Sequence, residues 1–254
     1  MRYFVNENSI VREIWKKTDV VLLIFAGSAA EFALNKALDW LYFTGKIPNN
    51  PLGRLFSTVG YAQNIVFAEN EKALATIDSI TAIHQSVELS RGKNIPDWAY
   101  RDVLYMLIDY SIRSFKLLER KLNMSEKEEV FDVFYRLGTQ MQLKNLPNNY
   151  TDWQIDRNIH LENDLQNGKF TLHLFEQYKK HLGNFRYFIL IEIQYVLVPK
   201  IVKNKLSMQS QFPIKIVLNL YKICKKIKID SIIKSIILPK KHQIEIAKFG
   251  SFEK

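Results

Sequence analysis

Within residues 50–89, four side chains have the types that chemistry needs: Arg54, Ser57, Thr58 and His84. A guanidinium keeps its positive charge and forks onto carboxylates, a hydroxyl donates or accepts a hydrogen bond, and a neutral imidazole can ligate a metal. Their spacing brings them together. Asn50 followed by Pro51 is a helix start, because Asn caps well and Pro tolerates the first helical position. From there Leu55, Val59, Ala62 and Val66 repeat at the helical period and mark a buried face. Arg54, Thr58, Tyr61 and Ile65 form the adjoining stripe. The pattern breaks at residues 68–70, where Asn70 is placed to cap a second helix, and in that helix Ile77, Ile80, His84 and Val87 share an apolar face. In an antiparallel hairpin turning near residue 70, Thr58 and His84 each lie about a dozen residues from the turn. At about 1.5 Å rise per residue they meet at one level. One layer of a helical core then holds a guanidinium, a hydroxyl and an imidazole.

These residues also carry a resemblance. Pro51-Leu52-Gly53-Arg54-Leu55-Phe56-Ser57-Thr58, followed by Ile83-His84-Gln85-Ser86-Val87, resembles the paired signature of the family of rubber oxygenase (latex-clearing protein) and the MpaB oxygenase of the mycophenolate pathway. The similarity takes in the apolar helix before it, Arg136-Leu137-Gly138 and the run from Pro147 to Trp153, and so covers most of residues 10–160 before weakening. It implies a mostly α catalytic domain in which His84 is the proximal metal ligand of haem b. Arg54, Ser57 and Thr58 are then cofactor-binding, and Arg54, Thr58 and Asp39 catalytic. Asp39, or else Glu31, is the candidate acid/base. The implied activity is a haem-dependent oxygenase-like oxidation, with dioxygen, of an apolar substrate that is isoprenoid-like or lipid-like. Two positions depart from the family. Many relatives have His-Pro where this chain has Lys36-Ala37, and the rubber-oxygenase branch has a basic residue at Ser57 that can cover the distal iron position. A serine cannot do that, so an open or water-filled distal side is expected.

Taken one at a time, the same residues have plainer readings. An inward histidine on a helix is most often a core residue bonded to a neighbour, an arginine is most often ion-paired, and a helical threonine is unremarkable. His160 with Glu162 and Asp164 hints at a carboxylate-rich metal site, but the spacing matches no recognised ligand pattern, and a solvated face is expected. His173 and His181 are two helical turns apart, too far to clamp one ion alone.

The elements that position these groups are helical. The chain has 254 residues, few Gly and Pro, no linker-like stretch and no repeat. The fold class expected is mainly α: a single multi-helix globular domain over residues 1–200, with a basic amphipathic C-terminal helical extension over 201–254. A short helix within residues 1–18 with Ser9 as its cap, one long core helix over 20–42, an apolar helix over 97–118 and a helix boxed by Ser125 and Glu128 follow in order. Helices over 151–167, around Trp153, Ile155 and Leu161, and over 170–181 and 185–198 complete the globular part.

A lone cysteine, Cys224, excludes a disulfide framework and a thiolate cluster. No signal-peptide plan opens the chain, and the apolar run 20–30 is about half the length of a membrane span. The expectation from those features is a cytoplasmic protein. The net charge of +10 is concentrated, since residues 201–254 hold twelve lysines and three acids. Such a segment can pack on its own domain or lie on the inner face of an acidic membrane. Nucleic acid ranks last as a partner, because few aromatics interleave the lysines. No phosphate loop, nucleophile elbow or dinucleotide fingerprint is present. The competing reading is a non-catalytic helical protein that associates with membrane or lipid through its basic C-terminal region, and a third is an inactive relative without the cofactor.

Overall fold

Helices begin where the sequence supplies caps. In the computed structural model, which describes residues 2–45 and 50–226, the chain forms α1 (Ile10–Lys16), α2 (Thr18–Phe32), α3 (Leu38–Phe43), α4 (Pro51–Phe67), α5 (Asn70–Arg91) and α6 (Asp97–Leu118). There follow α7 (Met124–Gln140), α8 (Tyr150–Asn163), α9 (Lys169–Leu197), α10 (Lys200–Lys205) and α11 (Ile214–Lys226). Ser9 caps α1 through the Val11 amide, and Asn50 caps α4 through the Gly53 amide with Pro51 in the first turn. Both starts are as the sequence predicts. Two others shift. α5 has Glu69 as its cap residue and Asn70 already inside the helix. The capping box of α7 is Asn123 with Glu126 rather than Ser125 with Glu128: Asn123 Oδ1 accepts from the Glu126 amide at 2.9 Å and the Glu126 carboxylate accepts from the Asn123 amide at 2.8 Å.

Helix α2 is apolar on all sides and is therefore the centre of the packing. Every residue from Val20 to Glu31 except Leu22 is buried. Helices α1, α4, α6 and α9 surround it. Its approach to α6 is close: a Cβ on Gly27 would lie 2.4 Å from the Tyr110 ring, so only glycine fits there.

The single long helix expected over 20–42 is two helices. The chain leaves α2 after Phe32 and re-enters helix at Leu38. Asn35 is the cause, since its Oδ1 accepts from the Ala37 amide and its Nδ2 donates to Asp102. The freed backbone pairs with residues 164–166, through Lys36 N to Asp164 O and Gln166 N to Leu34 O. In α9 the helix is interrupted at Gly183, which has φ +74°, between the two segments the sequence separates. Ile155, expected inside α8, is exposed, whereas Trp153 and Leu161 are buried.

Among the described residues these helices form one all-α globular domain with no strand longer than an isolated bridge. Ile214 and Leu218 of α11 join its core, while Lys225 pairs with Asp19 and Glu119. The second half of the amphipathic stretch 214–238, and the chain to residue 254, lie outside the described residues.

A buried ionic clasp ties α2, α6 and α8 together. Both terminal nitrogens of Arg157 donate to the Glu31 carboxylate at 2.6 Å, one also donates to Asp109 at 3.2 Å, and Tyr110 donates to Glu31 at 2.9 Å. Glu31 and Arg157 are 1% and 4% exposed. Removing one partner strands the other charge inside the protein. Glu31→Ala should therefore lower folding stability by about 3–5 kcal/mol in urea denaturation; a loss below about 1 kcal/mol would mean the clasp is not anchoring the fold.

Candidate functional site

The stripe Arg54, Thr58, Tyr61 and Ile65 of α4 and the face Ile80, Ile83 and His84 of α5 do meet. Together with α2, α3 and α6 they enclose a cavity of about 300 Å³, at the lower end of the usual range for small-molecule sites. Phe25, Phe32, Trp40, Val103 and Leu107 give it apolar walls. The polar groups are few: Arg54, Thr58, His84, Ser28, Asn35 and the phenols Tyr61, Tyr100 and Tyr178.

Two of those groups carry buried atoms without a hydrogen-bond partner, His84 Nδ1 and Ser28 Oγ. The His84 imidazole is kept neutral by its surroundings. Burial lowers its pKa first, the Arg54 charge lowers it further, and the Glu88 carboxylate one turn along α5 opposes them. The Tyr100 ring meets it edge-on at 5.2 Å, and the Tyr100 hydroxyl donates to Glu88 at 3.1 Å. Burial and the Glu88 charge raise that phenol. His84 and Tyr100 also border a second, more polar cavity of about 210 Å³ containing Glu88, Asn94 and Asp97. They thus stand between an apolar chamber and a polar one.

Arg54 is half-buried, and among the described residues no carboxylate pairs with it. Its side chain donates at 3.4 Å to Ser57 Oγ, and burial lowers its pKa, yet a guanidinium stays charged. Thr58 Oγ1 donates to the Arg54 carbonyl at 3.1 Å, so what it offers to the cavity is its lone pairs.

Other candidates fall elsewhere. Ser57 is exposed, donates to the Arg54 carbonyl and does not line the cavity. Asp39 lies beside the chamber rather than in it, ion-paired to Arg91 at 2.6 Å while Arg91 stacks over Trp40. Glu31 is sealed in the Arg157 clasp. Lys36 donates to the Asn163 carbonyl. His173 contacts the Tyr42 hydroxyl at 2.8 Å. The solvated face expected for His160 is incorrect: His160 is 5% exposed, because Asp102 of α6 and the turn at Asn35 close over it. Glu162 is exposed.

Sequence reasoning missed Ser28, Tyr100 and Glu88. The signal for Glu88 was present, since it lies four residues after His84 and so on the same helical face. Ser28 and Tyr100 reach the site only through tertiary packing.

The neutral His84 has a measurable consequence. As the pH falls, the unfolded chain takes the proton first, near the ordinary value of 6.5. The residue therefore contributes stability above that value, and the contribution is lost as the pH falls below it. A proton-NMR titration of His84 should give a midpoint below 6.5, raised by Arg54→Met and lowered further by Glu88→Gln. A midpoint above the ordinary value would contradict the burial and charge assigned here.

The chain was compared with known families and proteins. No curated protein and no solved structure compared with it matches. A family model does, the one described as ER-bound oxygenase mpaB/B'/Rubber oxygenase, catalytic domain, over residues 15–155. That span contains every cavity residue named above except Tyr178. It covers more than half of the chain, and the protein belongs to the MpaB/rubber oxygenase catalytic-domain family of oxygenases.

Proposed function

We propose that the protein is a haem-dependent oxygenase acting on an apolar, isoprenoid-like or lipid-like substrate in the chamber between α4 and α5. The observation that carries this is the buried Nδ1, without a partner among the described residues, of a neutral, half-buried imidazole beside a guanidinium that no described carboxylate pairs with, in a mostly apolar cavity. The donor set fits haem b in kind. A neutral imidazole is a ligand that such iron would take, an arginine without an ion-pair partner among the described residues would suit a propionate, and apolar walls would suit a macrocycle. When bound, the haem supplies the redox chemistry that dioxygen requires.

The side chains have separate tasks. His84 holds the metal, oriented by the Tyr100 edge that Glu88 fixes. Arg54 holds a carboxylate or another anion. Thr58, its proton committed to the backbone, accepts a hydrogen bond from water or a donor on the bound molecule. Phe25, Phe32, Trp40 and Leu107 exclude bulk water and select an apolar substrate. Asp39, held by Arg91, keeps α3 against the end of α5 at the chamber wall.

Protein purified from haem-supplied cells should show a Soret band. His84→Ala should lose it while keeping its helical circular dichroism. No Soret band after reconstitution of the wild type would overturn the reading.

A second reading, compatible with the first, is favoured by α11. This helix is docked by Ile214 and Leu218 and by Tyr221 donating to Asp19. Even so, Ile216, Val217, Leu220 and Ile223 on its outer side are exposed, next to an exposed Phe212 that contacts Phe188. A docked helix has no packing need for a second apolar face. In a segment with twelve lysines and three acids, that face suits an anionic lipid surface, on which it would lie rather than insert. No helix among the described residues is long and apolar enough to cross a membrane. The full chain should co-sediment with anionic vesicles, less so in high salt. Replacing Ile216, Leu220 and Ile223 by Ser should abolish this without affecting haem binding; unchanged sedimentation would refute the lipid reading.

A further inference from the structure

A second cluster, separate from the chamber, lies where α6, α8 and the turn after α2 converge. Asp156, His160 and Asp164 follow at intervals of four along the end of α8, so they share one face. Asp102 of α6 meets that face. His160 Nδ1 is 2.6 Å from Asp102 Oδ1 and 2.8 Å from Asp164 Oδ2, and these three donor atoms all lie within 4.8 Å of one another. We propose that Asp102, His160 and Asp164 form a binding site for a divalent transition-metal ion of the manganese-to-zinc series.

Two independent features point to a cation. The first is the charge balance. Three carboxylates, Asp102, Asp156 and Asp164, surround one imidazole, with side-chain exposures of 3%, 32% and 18%. Two cations, Lys36 and Arg101, act on Asp164 only at a distance: Lys36 donates to the Asn163 carbonyl and Arg101 to the Lys144 carbonyl, and neither makes an ion pair with the cluster. With a neutral imidazole the three carboxylates carry their full charge, and a divalent ion on Nδ1 would answer two of the three.

The second feature is the orientation of the donors. His160 Nδ1 is hydrogen-bonded to Asp102 Oδ1 and also stands 2.8 Å from Asp164 Oδ2, and one nitrogen lone pair and two carboxylates so arranged can converge on an ion. The surrounding contacts hold them for it. Asp102 Oδ2 accepts from Asn35, leaving Oδ1 toward His160. The other ring nitrogen of His160 lies 3.7 Å from Asp156, which in turn accepts from the Tyr105 hydroxyl. A carboxylate behind the far nitrogen of a metal-ligating histidine is the usual supporting arrangement, because it puts the proton there and frees the near nitrogen. Around a tetrahedral ion with bonds of about 2.0–2.1 Å, donors stand about 3.3 Å apart, so the His160–Asp102 and His160–Asp164 pairs need to open by only about 0.5–0.7 Å. One imidazole with two carboxylates suits manganese to zinc better than calcium or magnesium, and it leaves a position for water on the partly exposed Asp164 side.

Zn²⁺ titrated calorimetrically into the full-length protein, with Cys224→Ser as the common background to remove thiolate binding, tests the site. One equivalent should bind. Asp164→Asn and Asp102→Asn should each weaken it at least tenfold, Asp156→Asn about tenfold, and Glu162→Gln, on the exposed neighbour, not at all. Co²⁺ in place of Zn²⁺ should give ligand-field bands that Asp164→Asn removes. Absence of a one-equivalent site, or unchanged affinity in Asp164→Asn, would overturn the proposal. Asp164 caps the end of α8 and is half-buried, so this variant keeps the test decisive even if Asp102→Asn fails to fold. Haem is not read in the experiment, so its outcome is independent of the oxygenase reading.

Discussion

The carboxylate of Glu31, gripped by both terminal nitrogens of Arg157, is the contact on which the arrangement of this protein turns. A buried charge of this kind tolerates no partial satisfaction. Tyr110 and Asp109 of α6 and Arg157 of α8 must therefore all reach the same turn of α2. That requirement fixes the register of α2 against α6, which Gly27 permits by admitting the Tyr110 ring. The same helix supplies Phe25, Ser28 and Phe32 to the cavity wall. Holding α2 in place through the clasp is what holds the chamber's shape.

Against that clasp, the chamber shows the reverse economy of contacts. Glu31 is fully paired, whereas among the described residues His84 Nδ1 and Ser28 Oγ in the chamber wall have no partner, and Arg54 has no carboxylate. A buried polar atom without a partner costs about 1–3 kcal/mol. Two such atoms and an unanswered guanidinium around one apolar space are what a ligand-binding site looks like before its ligand is considered. Glu88 connects this site to the rest of the protein. It sits behind Tyr100, accepts from the Ile95 amide in the turn after α5, and moderates the charge on His84.

Local signals made much of this visible in the sequence. Asn50-Pro51 and Ser9 cap their helices through their own side chains, and the four-residue rhythm of Arg54, Thr58, Tyr61 and Ile65 placed those residues on one stripe. His84 was legible for the same reason. What stayed hidden depends on contacts distant in sequence. The break after Phe32 arises because residues 34–36 exchange backbone bonds with residues 164–166. The burial of His160 needs Asp102 and Asn35, contributed by two other elements. Ser57 illustrates the resolution of the pattern itself: one position before Thr58, it is about 100° away around the helix and faces solvent. Residues matched to a family signature need not all face its cofactor.

The central claim is that the free imidazole of His84 is a metal ligand. Resonance Raman spectroscopy of the ferrous haem-loaded protein, prepared with ¹⁵N-labelled and unlabelled histidine, reads that bond directly. The account predicts an iron–nitrogen stretching mode that shifts with the isotope and is absent in His84→Ala. An isotope-insensitive spectrum, or a mode that survives His84→Ala, would contradict it.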